Sequence, residues 1–134
     1  MIFFHEVPLV CINQAAVQYH VPATVILSVI KTENGRNGIA VKNKNGTYDL
    51  GVMQINSSWL MNLKNKGITA EQVKSDPCTN VSVGTWILAQ GIANGDGWQG
   101  VGNYNSYTKK YNQIYREKVR NTYSNYTAVL ERNV

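Results

Sequence analysis

Carboxylates are scarce in this chain. Only eight of its 134 residues are Asp or Glu, against 13 Lys or Arg, for a formal net charge of +5. Long apolar runs are missing too. No stretch approaches the roughly 18 to 20 residues of a membrane-spanning helix, so no integral membrane segment is expected. Cysteine occurs twice and histidine twice. Cys11 and Cys78 have no CxxC partner, and His5 and His20 complete no metal-ligand spacing, so no zinc site is expected. Repeats, low-complexity tracts and linkers are absent. With 43% hydrophobic residues, residues 1–134 are expected to form one domain around one core.

The positive charge is diffuse. Lys42 and Lys44, Lys64 and Lys66, Lys109 and Lys110, then Arg116, Lys118 and Arg120 are scattered among other residues. No basic-aromatic recognition signature accompanies them, so nucleic acid is not an expected partner. A diffuse field suits encounter with an anionic polymer or a lipid surface. The opening "MIFFHEVPLVC" is too short and too interrupted for a complete signal peptide, and a mature or trimmed product is expected. The two cysteines leave two readings open. They are unrelated buried thiols, or one disulfide that closes a long loop in an oxidising compartment.

Helical signals dominate. "PLVCINQAAVQYH" reads as a helix over about residues 9–19. Pro22 suits the first turn of a second helix ending near Glu33, with "NG" at Asn34 and Gly35 as its stop. Residues 35–48 read as a loop with a small hairpin around "NKNGT". "SSWLMNLKNKG" reads as a helix with a serine cap and a glycine stop. Thr69 and Gln72 stand at capping-box spacing, with Pro77 as a breaker beyond. "TNVSVGTWILAQGIANG" is a strong helix, in which Gly84 and Gly91 mark close helix contacts or loose ends. "GWQGVGNYNS" reads as a glycine-rich turn into a last helical region, where Tyr107, Tyr111 and Tyr115 recur as a helix seam. The expected fold is mainly α, in the α+β sense, with five to seven helices and a small irregular or β element.

One carboxylate is out of place. Across "VPATVIL" and the "SVIKTENG" that follows it, Ile26, Val29, Ile30 and Glu33 share a helix face. Burial among apolar neighbours and the negative end of the helix dipole both hold a proton on Glu33. A carboxylic acid kept protonated near neutral pH suits general acid cleavage of an acetal. Sixteen residues on, after a glycine-rich loop, "TYDLGVMQINSSW" supplies Asp49 among polar loop atoms, where it is expected to stay ionised. Two acids in contrasting surroundings are the pattern of glycoside cleavage.

"SVIKTENG", "DLGVMQIN" and "GVGNYNS", in that order, resemble the goose-type and bacterial lytic transglycosylase group with a lysozyme-like fold. The likeness is greatest to the small transglycosylases that accompany conjugation and type III or type IV secretion systems, and it spans about residues 8–115. The resemblance implies that Glu33 is the catalytic acid and base. It implies that Gln54 binds sugar, that Met53 forms a cleft wall, that Tyr104 contacts the catalytic glutamate and that Asn105 touches substrate. Two departures stand out. Asn103 replaces the small alanine of the family's "AYN" motif. Asp49 resembles the aspartate of the matching stretch in animal lysozymes, and many members of the group lack it.

The implied substrate is the peptidoglycan glycan strand, cut between N-acetylmuramic acid and N-acetylglucosamine, in the periplasm or outside the cell. Transglycosylation would close the muramoyl C6 hydroxyl on C1. Hydrolysis would use Asp49 to stabilise or trap the cation, and water to finish, and the resemblance implies no cofactor or metal for either reaction. A rival of another class is a non-catalytic wall-binding or assembly module that offers residues 107–126 to a partner. The presence of both Glu33 and Tyr104 speaks against it. Cys11 and Cys78 are expected to be oxidised in protein made in the periplasm.

Overall fold

The computed structural model describes residues 1–132, and side chains through residue 128. The chain opens with a hairpin, β1 (Phe3–Phe4) and β2 (Val7–Pro8), whose register pairs Phe3 with Pro8. Its turn residues, His5 and Glu6, take left-handed φ values of 49° and 71°. No glycine or asparagine marks that turn, so turn chemistry did not announce it in the sequence. Helices α1 (Leu9–Tyr19) and α2 (Ala23–Glu33) follow. Pro22 stands just outside α2 as its N-cap residue, one position before the expected first turn.

A three-stranded antiparallel sheet comes next, in the order β3 (Ala40–Lys42), β4 (Tyr48–Leu50), β5 (Ile55–Asn56). The expected hairpin is the β3–β4 connection, and Gly46 supplies a left-handed residue at φ 86°. A 3-10 turn at Ser57–Trp59 leads into α3 (Leu60–Lys64). Its cap is Asn56, which accepts from Ser58 N, and not a serine as expected. The capping box of Thr69 and Gln72 opens α4 (Ala70–Ser75). Pro77 does more than stop α4. It occupies the first turn of α5 (Pro77–Ala93), where Asp76 caps the free N–H groups of Cys78 and Thr79, and its own missing donor leaves nothing unpaired.

The stretch expected to be a glycine-rich turn is helical over α6 (Gly97–Gly102), opened by a capping box of Asp96 and Gln99. Paired caps and contacts with α5 and α7 override the poor helix propensity of its three glycines. The long α7 (Lys109–Arg132) closes the description.

Helix α5 runs through the middle, with Val81, Val83, Ile87 and Leu88 all buried. It packs on α1, α4 and α6, while α2 lies along α7. Their shared core takes Ile12 from α1, then Ile26, Val29 and Ile30 from α2, and Val119 from α7. Cys11 and Cys78 form a disulfide, with Cα atoms 5.4 Å apart, that ties α1 to the start of α5. The small sheet lies beside this helical body, a mainly α arrangement of lysozyme-like α+β type. Among the described residues, no helix is long and apolar enough to cross a membrane. Among them too, no group of three or more His, Cys, Asp or Glu is placed to hold a metal ion.

Candidate active site

Glu33 is the last residue of α2, and the backbone turns sharply after it. Asn34 takes φ 53° and donates its N–H to Ile30 O at 3.0 Å. Gly35 is buried, and a Cβ there would run into the carbonyls of Gly51 and Val52. The "NG" pair thus divides the work. Asn34 supplies the left-handed residue, and Gly35 lets the end of α2 press against the 51–54 loop.

That loop is held from behind. Asn80 on α5 is fully buried, donates to Leu50 O at 2.9 Å and Val73 O at 2.8 Å, and accepts from Met53 N at 2.8 Å. Gln54 is left in a left-handed conformation, φ 54°, and its amide donates to Gly51 O at 3.0 Å. A non-glycine residue so placed persists only where its surroundings fix it, and such residues cluster at functional sites.

Glu33, Asp49, Gln54, Tyr104 and Asn105 line one cleft of about 520 Å³, with Trp59, Ile87 and Gln90 among its other walls. Asp49 projects from β4, opposite Asn56 of β5, and accepts from Asn56 Nδ2 at 3.1 Å. Gln90 Nε2 is buried there without a protein partner. Met53 is the exception among the residues expected to line the cleft. Its side chain is fully buried and fills the space that a side chain at Gly84 would occupy. It stands behind the wall and contributes a carbonyl, because the tight loop turns it into the core. Gly84 is therefore a close contact and not a loose end.

The hydroxyl that bonds Glu33 comes from Tyr115 and not from Tyr104, although Tyr104 also lies near that carboxyl. Tyr104 donates its hydroxyl to Met53 O at 2.7 Å. Tyr115, from α7, donates to Glu33 Oε2 at 2.5 Å. The two rings stack, 6.3 Å between centroids and 25° between planes. Helical spacing in the sequence assigned Tyr107, Tyr111 and Tyr115 to a seam, and only Tyr115 belongs to one. It is buried beside Val119, while Tyr107 and Tyr111 are exposed. The spacing could not reveal that the seam faces the end of α2, where a carboxylate awaits a donor.

Glu33 is pushed up to about 7, first by burial and then by the nearby charge of Asp49. The Tyr115 hydrogen bond and Lys118 pull the other way and lose. Tyr115 is held well above its ordinary value by burial and by the charge of Glu33, so it remains a neutral donor. A carboxyl that exchanges its proton near pH 7, in a polar cleft with a second acid, can give a proton to a bridging oxygen and take one back.

Residues 10–127 match the transglycosylase SLT domain. The chain belongs to that family. This SLT domain is 32% identical to protein IpgF of Shigella sonnei over 129 residues, 92% of this chain and 85% of that protein. It is 32% identical to invasion protein IagB of Salmonella typhi over 124 residues, 90% of this chain and 78% of that one. It is 28% identical to a peptidoglycan-binding-like protein of Escherichia coli O157:H7, over 90% of this chain and 78% of that protein.

Proposed function

We propose that this SLT domain is a lytic transglycosylase of peptidoglycan. It would cut the β-1,4 bond between N-acetylmuramic acid and N-acetylglucosamine and so open the wall locally for a secretion or conjugation apparatus. The observation that carries the reading is the Glu33 carboxyl, held near pH 7 in a polar cleft and braced by Tyr115. Glu33 protonates the bridging oxygen. The C1–O bond breaks, its electron pair goes to the departing N-acetylglucosamine, and positive charge develops at C1. The muramoyl C6 hydroxyl then closes on C1 and returns its proton to Glu33. The products are a 1,6-anhydro end and a regenerated acid, with no water consumed. The nucleophile is held beside its target, so positioning replaces a protein nucleophile. Gln54 and Asn105 line the cleft, and on this reading they hold sugar hydroxyls and acetamido groups.

Likeness to an invasion protein and to a peptidoglycan-binding-like protein supports both the wall substrate and the link to an export machine. The disulfide supports a periplasmic or secreted location, since such bonds persist in oxidising compartments. Asp49, in the same cleft as Glu33, favours one second reading, a hydrolytic muramidase in which Asp49 stabilises or traps the cation. Digestion of purified sacculi and mass spectrometry of the released muropeptides decides between them. Anhydro ends, lighter by one water, are expected from wild type and, at a lower rate, from Asp49→Asn. Reducing ends from wild type, with a nearly dead Asp49→Asn, establish the hydrolase. An empty zymogram from folded protein leaves only a wall-binding module.

A further inference from the structure

Two asparagines beside the cleft are buried, and the proposed chemistry does not use them. Asn103 is 5% exposed and Asn112 only 2%. Asn112 Nδ2 donates to Asn103 Oδ1 at 2.9 Å, and Asn103 Nδ2 donates to Gly91 O at 2.9 Å. Asn112 also reaches Gln99 O at 3.0 Å and Ser106 O at 3.1 Å. Gln99 Nε2 adds a second donor to Asn103 Oδ1 at 3.2 Å. One amide pair therefore joins the end of α5, α6, the following loop and α7. Two glycines make room for it. A Cβ on Gly102 would strike the Asn112 carboxamide, and one on Gly91 would crowd Asn103 Cβ.

The start of α7 has little else to hold it. Of residues 107–114, Asn112 alone is buried. Tyr115 lies three positions further along the same helix face, and Tyr104 adjoins Asn103 in sequence. The amide pair and the stacked tyrosine pair thus cross the same gap as two neighbouring rungs.

We propose that Asn103 and Asn112 are a matched pair of positioning residues: their mutual hydrogen bond sets the register of α7 and so places the Tyr115 hydroxyl on Glu33. This rests on Glu33 being the acid of the proposed reaction. It also accounts for the departure from the small alanine at position 103. A buried carboxamide at 103 needs a partner, and Asn112 is that partner.

The test reads Glu33 itself. The groups that face its carboxyl are Asp49 from β4, Tyr104 from the loop before α7, and Tyr115 and Lys118 from α7. The two from α7 favour the carboxylate, so a shift of α7 that draws the Tyr115 hydroxyl away while Glu33 stays buried raises the midpoint of the Glu33 titration. In carbon-13-labelled protein followed by NMR, Tyr115→Phe should raise that midpoint by about one pH unit. Asn112→Ala and Asn103→Ala should each raise it by about 0.5 to 1 pH unit, the double variant no further, and Asn112→Ala should add little to Tyr115→Phe. Leu63→Ala, a core change on α3, should lower the melting temperature and leave the midpoint alone. If Asn112→Ala does not fold, Asn103→Ala carries the test, because it installs the small residue of the resembled motif. Folded asparagine variants with lowered melting temperature and a wild-type Glu33 midpoint overturn the proposal. Wild-type protein that releases no muropeptide overturns the glycosidase reading instead, and the titration result stands apart from it.

Discussion

Glu33 joins two requirements that work against each other. It must be desolvated enough to hold a proton near pH 7, and reachable enough to hand that proton to a sugar oxygen. Glu33→Gln keeps the shape and the acceptor for Tyr115 but has no proton to give, so clearing of sacculi should fall by roughly 10² to 10⁴-fold in a folded protein. The same residue governs a stability trend. Its folded value, about 7, lies above the ordinary 4.5, so the folded state binds the proton more tightly than the unfolded chain does. Stability is therefore favoured below about pH 4.5 and declines as pH rises through about 7. Glu33→Gln should unfold like wild type near pH 4, yet be about 2 to 3 kcal/mol more stable near pH 8. Urea melts at the two pH values check this, and an equal difference at both would refute it. Cleavage itself should decline above about pH 7 as the acid form is lost. Glu33 was legible as a misplaced carboxylate on an apolar stripe. Tyr115 was not, because residues 82 apart in sequence share no local pattern.

The elements owe their placement to a few close approaches. Gly35 lets α2 end against the carbonyls of residues 51 and 52, which puts Glu33 over the cleft. Gly35→Ala must push backbone against backbone, so it should destabilise by about 1 to 3 kcal/mol and depress cleavage beyond the stability loss. Thermal melting and initial rates on sacculi, measured together, separate the two effects. The disulfide acts at the same scale, joining α1 to α5 across 67 residues. On the chain-entropy model a loop of that length contributes about 4 kcal/mol. Reduction should lower the melting temperature and leave the pH dependence of cleavage in place, since neither cysteine lines the cleft. Two free thiols in denatured, unreduced protein would refute the bridge. Helix α6 shows the limit of local propensity. Three glycines in six residues argue for a turn, and a capping box at the N-terminal end with helices on either side decides otherwise.

For the whole molecule, the net charge of +5 acts at long range. It should speed encounter with a polymer that carries carboxylates and do nothing for a short neutral oligosaccharide. Raising salt from about 0.05 to 0.5 M, which shortens the screening length severalfold, should slow digestion of sacculi a few-fold and spare the oligosaccharide. Read alone, the amino-acid order yields the mainly helical class, the extent of α1, the end of α2, the β3–β4 hairpin and the suspicion over Glu33. Each of these is written in periodicity, caps and turn residues, which act over a few positions of chain. It took long-range packing to turn Met53 into the core, to give Glu33 its donor from Tyr115 and not Tyr104, and to answer Asn103 with Asn112. Those outcomes depend on which helix faces meet across the cleft. That is settled by packing the whole core at once, with every buried donor and acceptor needing a partner.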